Sequence, residues 1–232
     1  FRSDAMQLEI TPFMYSLVNK NNTYYTPNHI VEGITYSGPN WSSILTGVNL
    51  DKHNVTDNSF SDHRYDIFPP FFHYIESLDY DINTVSMVNW TPINTYMSLM
   101  DADFSPINSL SDLEVFNSVQ NLLLNNDPID PDVLFIQFDE LDIAGHAHGF
   151  SPNVEEYAAE LMILDDYVSN LHAMIEYKRL IGEDWLFLIV SDHGGDGTAH
   201  GDANNPYINQ TIFFIEHPDL QFKMNSMSTQ AD

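Results

Sequence analysis

Leu188-Ile189-Val190-Ser191-Asp192-His193-Gly194-Gly195 reads as a short buried strand that ends in a carboxylate, an imidazole and two glycines. Open α/β sheets place their ligand sites just outside the carboxyl ends of strands, which is where Asp192 and His193 fall. Neighbouring residues on a strand point to opposite faces, so these two can act on one ligand only if the chain turns there. Gly194 and Gly195 are expected to allow that turn through positive φ. Gly197-Thr198-Ala199-His200-Gly201 continues the loop and returns a second imidazole to the neighbourhood.

A second strand end carries a similar set. Val133–Phe138 is apolar and leads into Asp139-Glu140-Leu141-Asp142-Ile143-Ala144-Gly145-His146, where Asp142 and His146 are one helical turn apart. An isolated D-x-x-x-H is usually a polar surface loop. Two strand ends bearing Asp/His pairs, with His200 on a glycine-rich loop, are harder to explain as surface. The chain has no cysteine, so a metal must be held by Asp, Glu and His, a ligand set that suits zinc best, with manganese or iron as alternatives.

Further upstream, Thr35-Tyr36-Ser37-Gly38-Pro39-Asn40-Trp41-Ser42-Ser43-Ile44-Leu45-Thr46-Gly47 is a tight loop feeding a short helix. Ser37 could meet an anion at that helix N-terminus, or could simply cap it.

These pieces sit in an alternating pattern. Strands are expected at Thr84–Val88, Val133–Phe138, Trp185–Val190 and Thr211–Ile215, and helices at Trp41–Leu45, Asp112–Leu124 and Pro152–Tyr177. Alternation of this kind implies crossovers, hence an α/β fold with a mostly parallel central sheet and helices on both faces. In the last helix, Ser151 is the expected N-cap and Pro152 the first residue. Tyr157, Leu161, Leu164, Val168, Leu171 and Ile175 form its apolar stripe. No internal repeat or linker divides the 232 residues, so 1–232 is expected to form a single catalytic domain.

Composition narrows the partners. The 34 Asp and Glu against 7 Lys and Arg give a net charge of −27, which repels nucleic acid and anionic membranes. A phosphorylated substrate therefore needs a local positive centre, and bound metal ions supply one where so few basic residues can. No apolar run is long enough for a transmembrane segment. Five N-x-[ST] sequons, at Asn21, Asn40, Asn54, Asn89 and Asn209, weigh slightly toward an extracellular setting.

The order of Y-S-G-P-N-W-S-S-I-L-T-G, D-K-H-N-V-T-D-N-S-F, D-E-L-D-I-A-G-H-A-H-G and S-D-H-G-G with H-G resembles the alkaline-phosphatase superfamily, over nearly the whole chain. Within it the pattern is most similar to the type I phosphodiesterase and nucleotide pyrophosphatase branch. The resemblance implies hydrolysis of phosphate mono- or diesters of a small molecule, with two zinc ions in an intact site. Asp142, His146 and His200 would hold one zinc, and Asp192 and His193 the other, together with the oxygen of a nucleophile. That nucleophile would be Ser37, where the branch more often has threonine, and Thr35 would be the residue to test should Ser37 prove dispensable. Asn58 would steady the phosphoryl oxygen, and His53 would be structural. The sulfatase branch shares the start of the Ser37-Gly38-Pro39-Asn40 loop but needs arginine where Trp41 stands. Phosphoglycerate-mutase-like members need more basic residues than this chain has.

The same pattern places a zinc-binding aspartate on a strand just before Phe1-Arg2-Ser3-Asp4-Ala5, and Asp4 falls too far along to replace it. Gln221–Asp232 looks irregular where the family pattern continues. The chain is thus expected to be a fragment, binding nearer one zinc than two. An extracellular or periplasmic setting is expected. The competing expectation is a non-catalytic extracellular relative, structural or binding, that keeps the fold and part of the metal site. The sequence sets no oligomeric state.

Overall fold

A computed structural model describes residues 1–31, 33–78, 81–124, 129–220 and 228–229. In chain order the elements are α1 (Pro12–Leu17), β1 (Thr23–Ile30), α2 (Ser37–Thr46), α3 (Leu50–His53), α4 (Phe71–Leu78) and β2 (Thr84–Val88). There follow α5 (Asp112–Leu124), β3 (Val133–Gln137), α6 (Glu140–His148), α7 (Glu155–Leu180), β4 (Phe187–Val190), α8 (Pro206–Asn209), β5 (Gln210–Glu216) and β6 (Ser228–Thr229). The expected irregular stretch Gln221–Asp232 lies outside the described residues apart from β6.

The chain divides into two compact units, Phe1–Thr35 with Leu141–Thr229, and Tyr36–Glu140. The first unit is built on a sheet of order β4-β5-β1-β6. β5 pairs antiparallel with both β4 and β1, while β6 runs parallel to β1. The α/β class stands, but this sheet is mixed rather than mostly parallel. β4 returns to β5 through a glycine-bearing loop and the four-residue α8, so the chain reverses direction beside β4 rather than crossing over as it does between the parallel β2 and β3. β4 is an edge strand with Leu188 54% exposed, not the buried strand expected.

Helix α7 buries Tyr157, Leu161, Val168, Leu171 and Ile175, five residues of the stripe read from the sequence, while Leu164 is half-buried. Tyr157 and Leu161 pack with Ala5, Ile10, Leu141 and Phe150. Val168 packs with Met14, Leu17, Ile212 and Phe214. The helix starts three residues later than Pro152. Val154 is its N-cap, with no side-chain hydrogen bond there, and Glu155 and Glu156 lie in the first turn.

The second unit pairs β2 and β3 in parallel, with every residue of β2 buried. Its core gathers Trp41, Leu45, Val55, Phe60, Tyr65, Val88, Ile93 and Met97, and Trp41 meets Phe135 edge-on at 5.7 Å. Asn40 on α2 is 1% exposed, and its Nδ2 is buried without a hydrogen-bond partner. Gly47 ends α2 in the left-handed conformation, φ 65°, as helix C-termini favour. No helix among the described residues is long and apolar enough to cross a membrane.

Candidate functional site

In the first unit, α6 carries Asp142 and His146, and the loop after β4 carries Asp192, His193 and His200. The i,i+4 spacing on α6 brings Asp142 Oδ2 to 3.3 Å from His146 Nε2. The loop brings His200 Nε2 to 3.1 Å from His146 Nε2 and 3.8 Å from Asp142 Oδ1. The three expected ligands thus offer atoms that all lie within 4.8 Å of one another.

Hydrogen bonds orient both rings. His146 Nδ1 lies 2.9 Å from the Thr198 carbonyl, and His200 Nδ1 lies 2.7 Å from the Thr35 carbonyl. A carbonyl only accepts, so each Nδ1 must carry the hydrogen, which turns a lone pair outward at each Nε2. Two lone pairs facing each other at 3.1 Å repel unless a cation lies between them. Asp142 Oδ1 is buried and has no hydrogen-bond partner, a costly state for a carboxylate oxygen. The donor set therefore fits a divalent metal, with backbone carbonyls in the supporting role usual for metal-binding histidines.

Asp192 and His193 stand beside this cluster, with Asp192 Oδ2 3.3 Å from His193 Nε2. The His193 ring stacks on His200 at 3.8 Å. Burial pushes the Asp192 carboxyl up to about 6. Burial holds His193 down to about 3. His193 is thus an unprotonated imidazole beside a buried carboxyl, a pair able to take a cation. The Asp4 carboxylate is bound on both oxygens by Arg2, at 2.9 and 2.6 Å.

Gly194 and Gly195 turn without positive φ; glycine is required there by close approach. A Cβ on Gly194 would lie 2.1 Å from the Tyr207 carbonyl oxygen, and one on Gly195 2.2 Å from the Phe150 ring. Phe150 also lies against Gly145, where a Cβ would come within 2.3 Å. Its ring meets His146 edge-on at 5.2 Å and His200 at 6.0 Å. Sequence reasoning missed Phe150, and the glycine at each strand-end motif was the signal that something large packs there. Thr35 is fully buried and its hydroxyl donates to the His200 carbonyl. With the Thr35 carbonyl on Nδ1, this residue positions His200 from both sides.

In the second unit, Ser37 is the first residue of α2, and Tyr36 occupies the cap. The first-turn amides are largely taken. Gly38 N donates to Asn58 Oδ1 at 2.8 Å, Pro39 has none, and Asn40 N donates to the Tyr36 carbonyl. Because Asn58 Oδ1 accepts, its amide NH2 points the other way as a donor. Asn58 itself is exposed. Gly38 is tight, with a Cβ there falling 2.7 Å from the Asp57 carbonyl oxygen. His53 is fully buried, its Nδ1 accepting from Val55 N and its Nε2 facing Ser43 Oγ, each at 3.1 Å.

An α/β fold with this carboxylate–imidazole cluster fits a class, the alkaline-phosphatase superfamily of hydrolases. Residues 1–73 and 77–227 match the family described as type I phosphodiesterase / nucleotide pyrophosphatase, and the chain belongs to it. Among solved structures, murine ectonucleotide pyrophosphatase / phosphodiesterase 5 superposes with a TM-score of 0.70 at 14% identity, covering 100% of this chain and 90% of that one. Its human counterpart gives 0.68 at 12%, covering 100% and 89%. A putative sulfatase from Bacteroides fragilis gives 0.67 at 13%, covering 100% and 69%. At these identities the likeness is one of fold. No curated protein sequence matches the chain.

Proposed function

We propose that this chain hydrolyses phosphate mono- or diesters of small molecules through a phosphoseryl intermediate. The observation that carries the reading is the convergence of Asp142, His146 and His200, with Asp142 Oδ1 buried and unpartnered. Asp142, His146 and His200 would hold one zinc, and Asp192 and His193 would contribute to a second. Zinc bound there neutralises phosphoryl charge and lowers the pKa of an attacking oxygen.

Ser37 is the nucleophile: its Oγ forms the bond to phosphorus as the ester oxygen leaves, and water then hydrolyses the phosphoserine. Asn58 donates an amide hydrogen to the phosphoryl oxygen. That role is supported by its Oδ1 being held on Gly38 N, which leaves its amide nitrogen to donate. His53 takes no part. Residues 1–232 act as one catalytic domain, in an extracellular or periplasmic setting, and nucleic acid is not a partner.

The test is metal analysis of the purified chain together with hydrolysis of p-nitrophenyl phosphate and bis-p-nitrophenyl phosphate. The wild type should bind zinc and turn over one of them, and Ser37→Ala should lose turnover while keeping fold and metal. A metal-binding chain inert toward both esters would favour the non-catalytic relative instead. Near-normal rates in Ser37→Ala would remove Ser37 from the mechanism.

A further inference from the structure

Residues at the start of the chain grip both arms of the metal cluster. Arg2 is 6% exposed. Its Nε and one terminal nitrogen donate to the two Asp4 oxygens, at 2.9 and 2.6 Å. Its other terminal nitrogen donates to the Phe150 carbonyl at 2.6 Å and lies 3.8 Å from Asp196 Oδ1. The guanidinium plane also covers the Tyr207 ring, 3.9 Å from its centre.

These partners belong to two different segments. Phe150 ends the arm that starts with α6, and its ring packs on Gly145 within that helix and on Gly195 while touching His146 and His200. Asp196 belongs to the loop after β4, and Tyr207 to α8, which follows that loop. There the Tyr207 carbonyl accepts Gly195 N at 2.9 Å, and the Ile208 carbonyl accepts Gly194 N at 2.8 Å. Phe150 N closes the ring of contacts on the Gly197 carbonyl at 2.7 Å.

From this geometry we infer that Arg2 is a positioning residue for the metal centre, tying the Asp142/His146 arm to the His200 loop through Phe150 and Tyr207. The inference rests on the metal reading above. A planar fork is required, because one head group must bind a carboxylate bidentately, reach a carbonyl and stack on an aromatic ring at once. A lysine ammonium can make only one of these contacts well. Asp4 holds the fork in plane, so it acts with Arg2 rather than as a ligand.

Cobalt(II) titration of the whole chain, with a competing chelator, tests it. Affinity and the visible ligand-field spectrum are read for wild type, Arg2→Lys and Asp4→Ala, and the fold of each metal-free protein by circular dichroism. Losing a supporting contact costs metal sites about 10–100-fold in affinity. Arg2→Lys should show such a loss with an altered spectrum, in a protein that is folded when metal-free. Asp4→Ala, at a partly exposed position, should show a smaller loss in the same direction. Wild-type affinity and spectrum in a folded Arg2→Lys would overturn the inference. If Arg2→Lys does not fold, an Asp4→Ala protein with a wild-type spectrum and affinity overturns it equally. A wild type that binds no cobalt would instead refute the metal reading, before any variant is compared.

Discussion

Acid should destabilise the second unit through His53. Its Nδ1 accepts from Val55 N, so Nε2 carries the ring hydrogen and donates to Ser43 Oγ. Protonation would place a hydrogen on Nδ1 and break the first bond inside a core with no exposure at that residue. Burial therefore lowers His53 from 6.5 to about 4, against a weaker opposing pull from Asp51. The sign follows from proton binding. Above pH 6.5 the imidazole is neutral in both folded and unfolded chains, and its contribution is intact. Between 6.5 and about 4 only the unfolded chain takes the proton, so stability is lost as pH falls, and below that the loss levels off. At roughly 1.4 kcal/mol per pH unit, the lowering from 6.5 to about 4 amounts to up to about 3 kcal/mol. Urea unfolding followed by tryptophan fluorescence, in wild type and His53→Gln, isolates this from other titrations. Trp41 and Trp90 report on the unit that holds His53. The wild type should be the more stable at about pH 7.5, and its advantage should shrink by about 3 kcal/mol by pH 4. Curves that stay parallel across the range would refute the reasoning.

Gly195→Ala should destabilise the first unit by about 1–3 kcal/mol through overpacking against Phe150. Thermal unfolding reads this, and Phe150→Leu in the same chain should restore part of the loss. Gly38→Ala should push residues 57 and 58 away and misplace the Asn58 amide. Loss of one oxyanion donor costs about 10²–10³-fold in kcat, to be measured with zinc saturating. Asp142→Asn should abolish metal binding at the first site, as read by elemental analysis. It should also leave the metal-free protein at least as resistant to heat as the wild type, because an unpartnered buried carboxylate oxygen is relieved of its charge.

The parts of this molecule that could be read from the sequence are those specified locally. β2 and α5 fall where periodicity and β-branched residues put them. The gathering of Asp142, His146 and His200 was foreshadowed by residue types at two strand ends and on the glycine-rich loop that follows one of them. β1 was illegible because it contains Pro27, a poor strand residue, and its register against β5 breaks between Thr26 and His29. The antiparallel placement of β5 was hidden because the 191–209 connection is long enough for either a reversal or a crossover, so its length does not set the direction of the strand. Phe150 and Arg2 escaped notice for a related reason. Each matters only through groups that approach it from distant parts of the chain, at sequence separations such as the 148 between Arg2 and the Phe150 carbonyl.

Asn40 carries a consequence for how the protein can be produced. It heads an Asn40-Trp41-Ser42 acceptor sequence, yet its amide nitrogen is sealed within the core of the second unit. A chain entering a eukaryotic secretory compartment meets its glycosyltransferase while still extended, when Asn40 is as accessible as any other acceptor asparagine. An attached sugar is bulky and must face water, so a modified Asn40 would hold α2 out of its packing and strand Trp41 with it. Modification and folding therefore compete at this one position. A glycosylating host should yield two populations, with the folded one bare at Asn40, whereas a bacterial host should yield one.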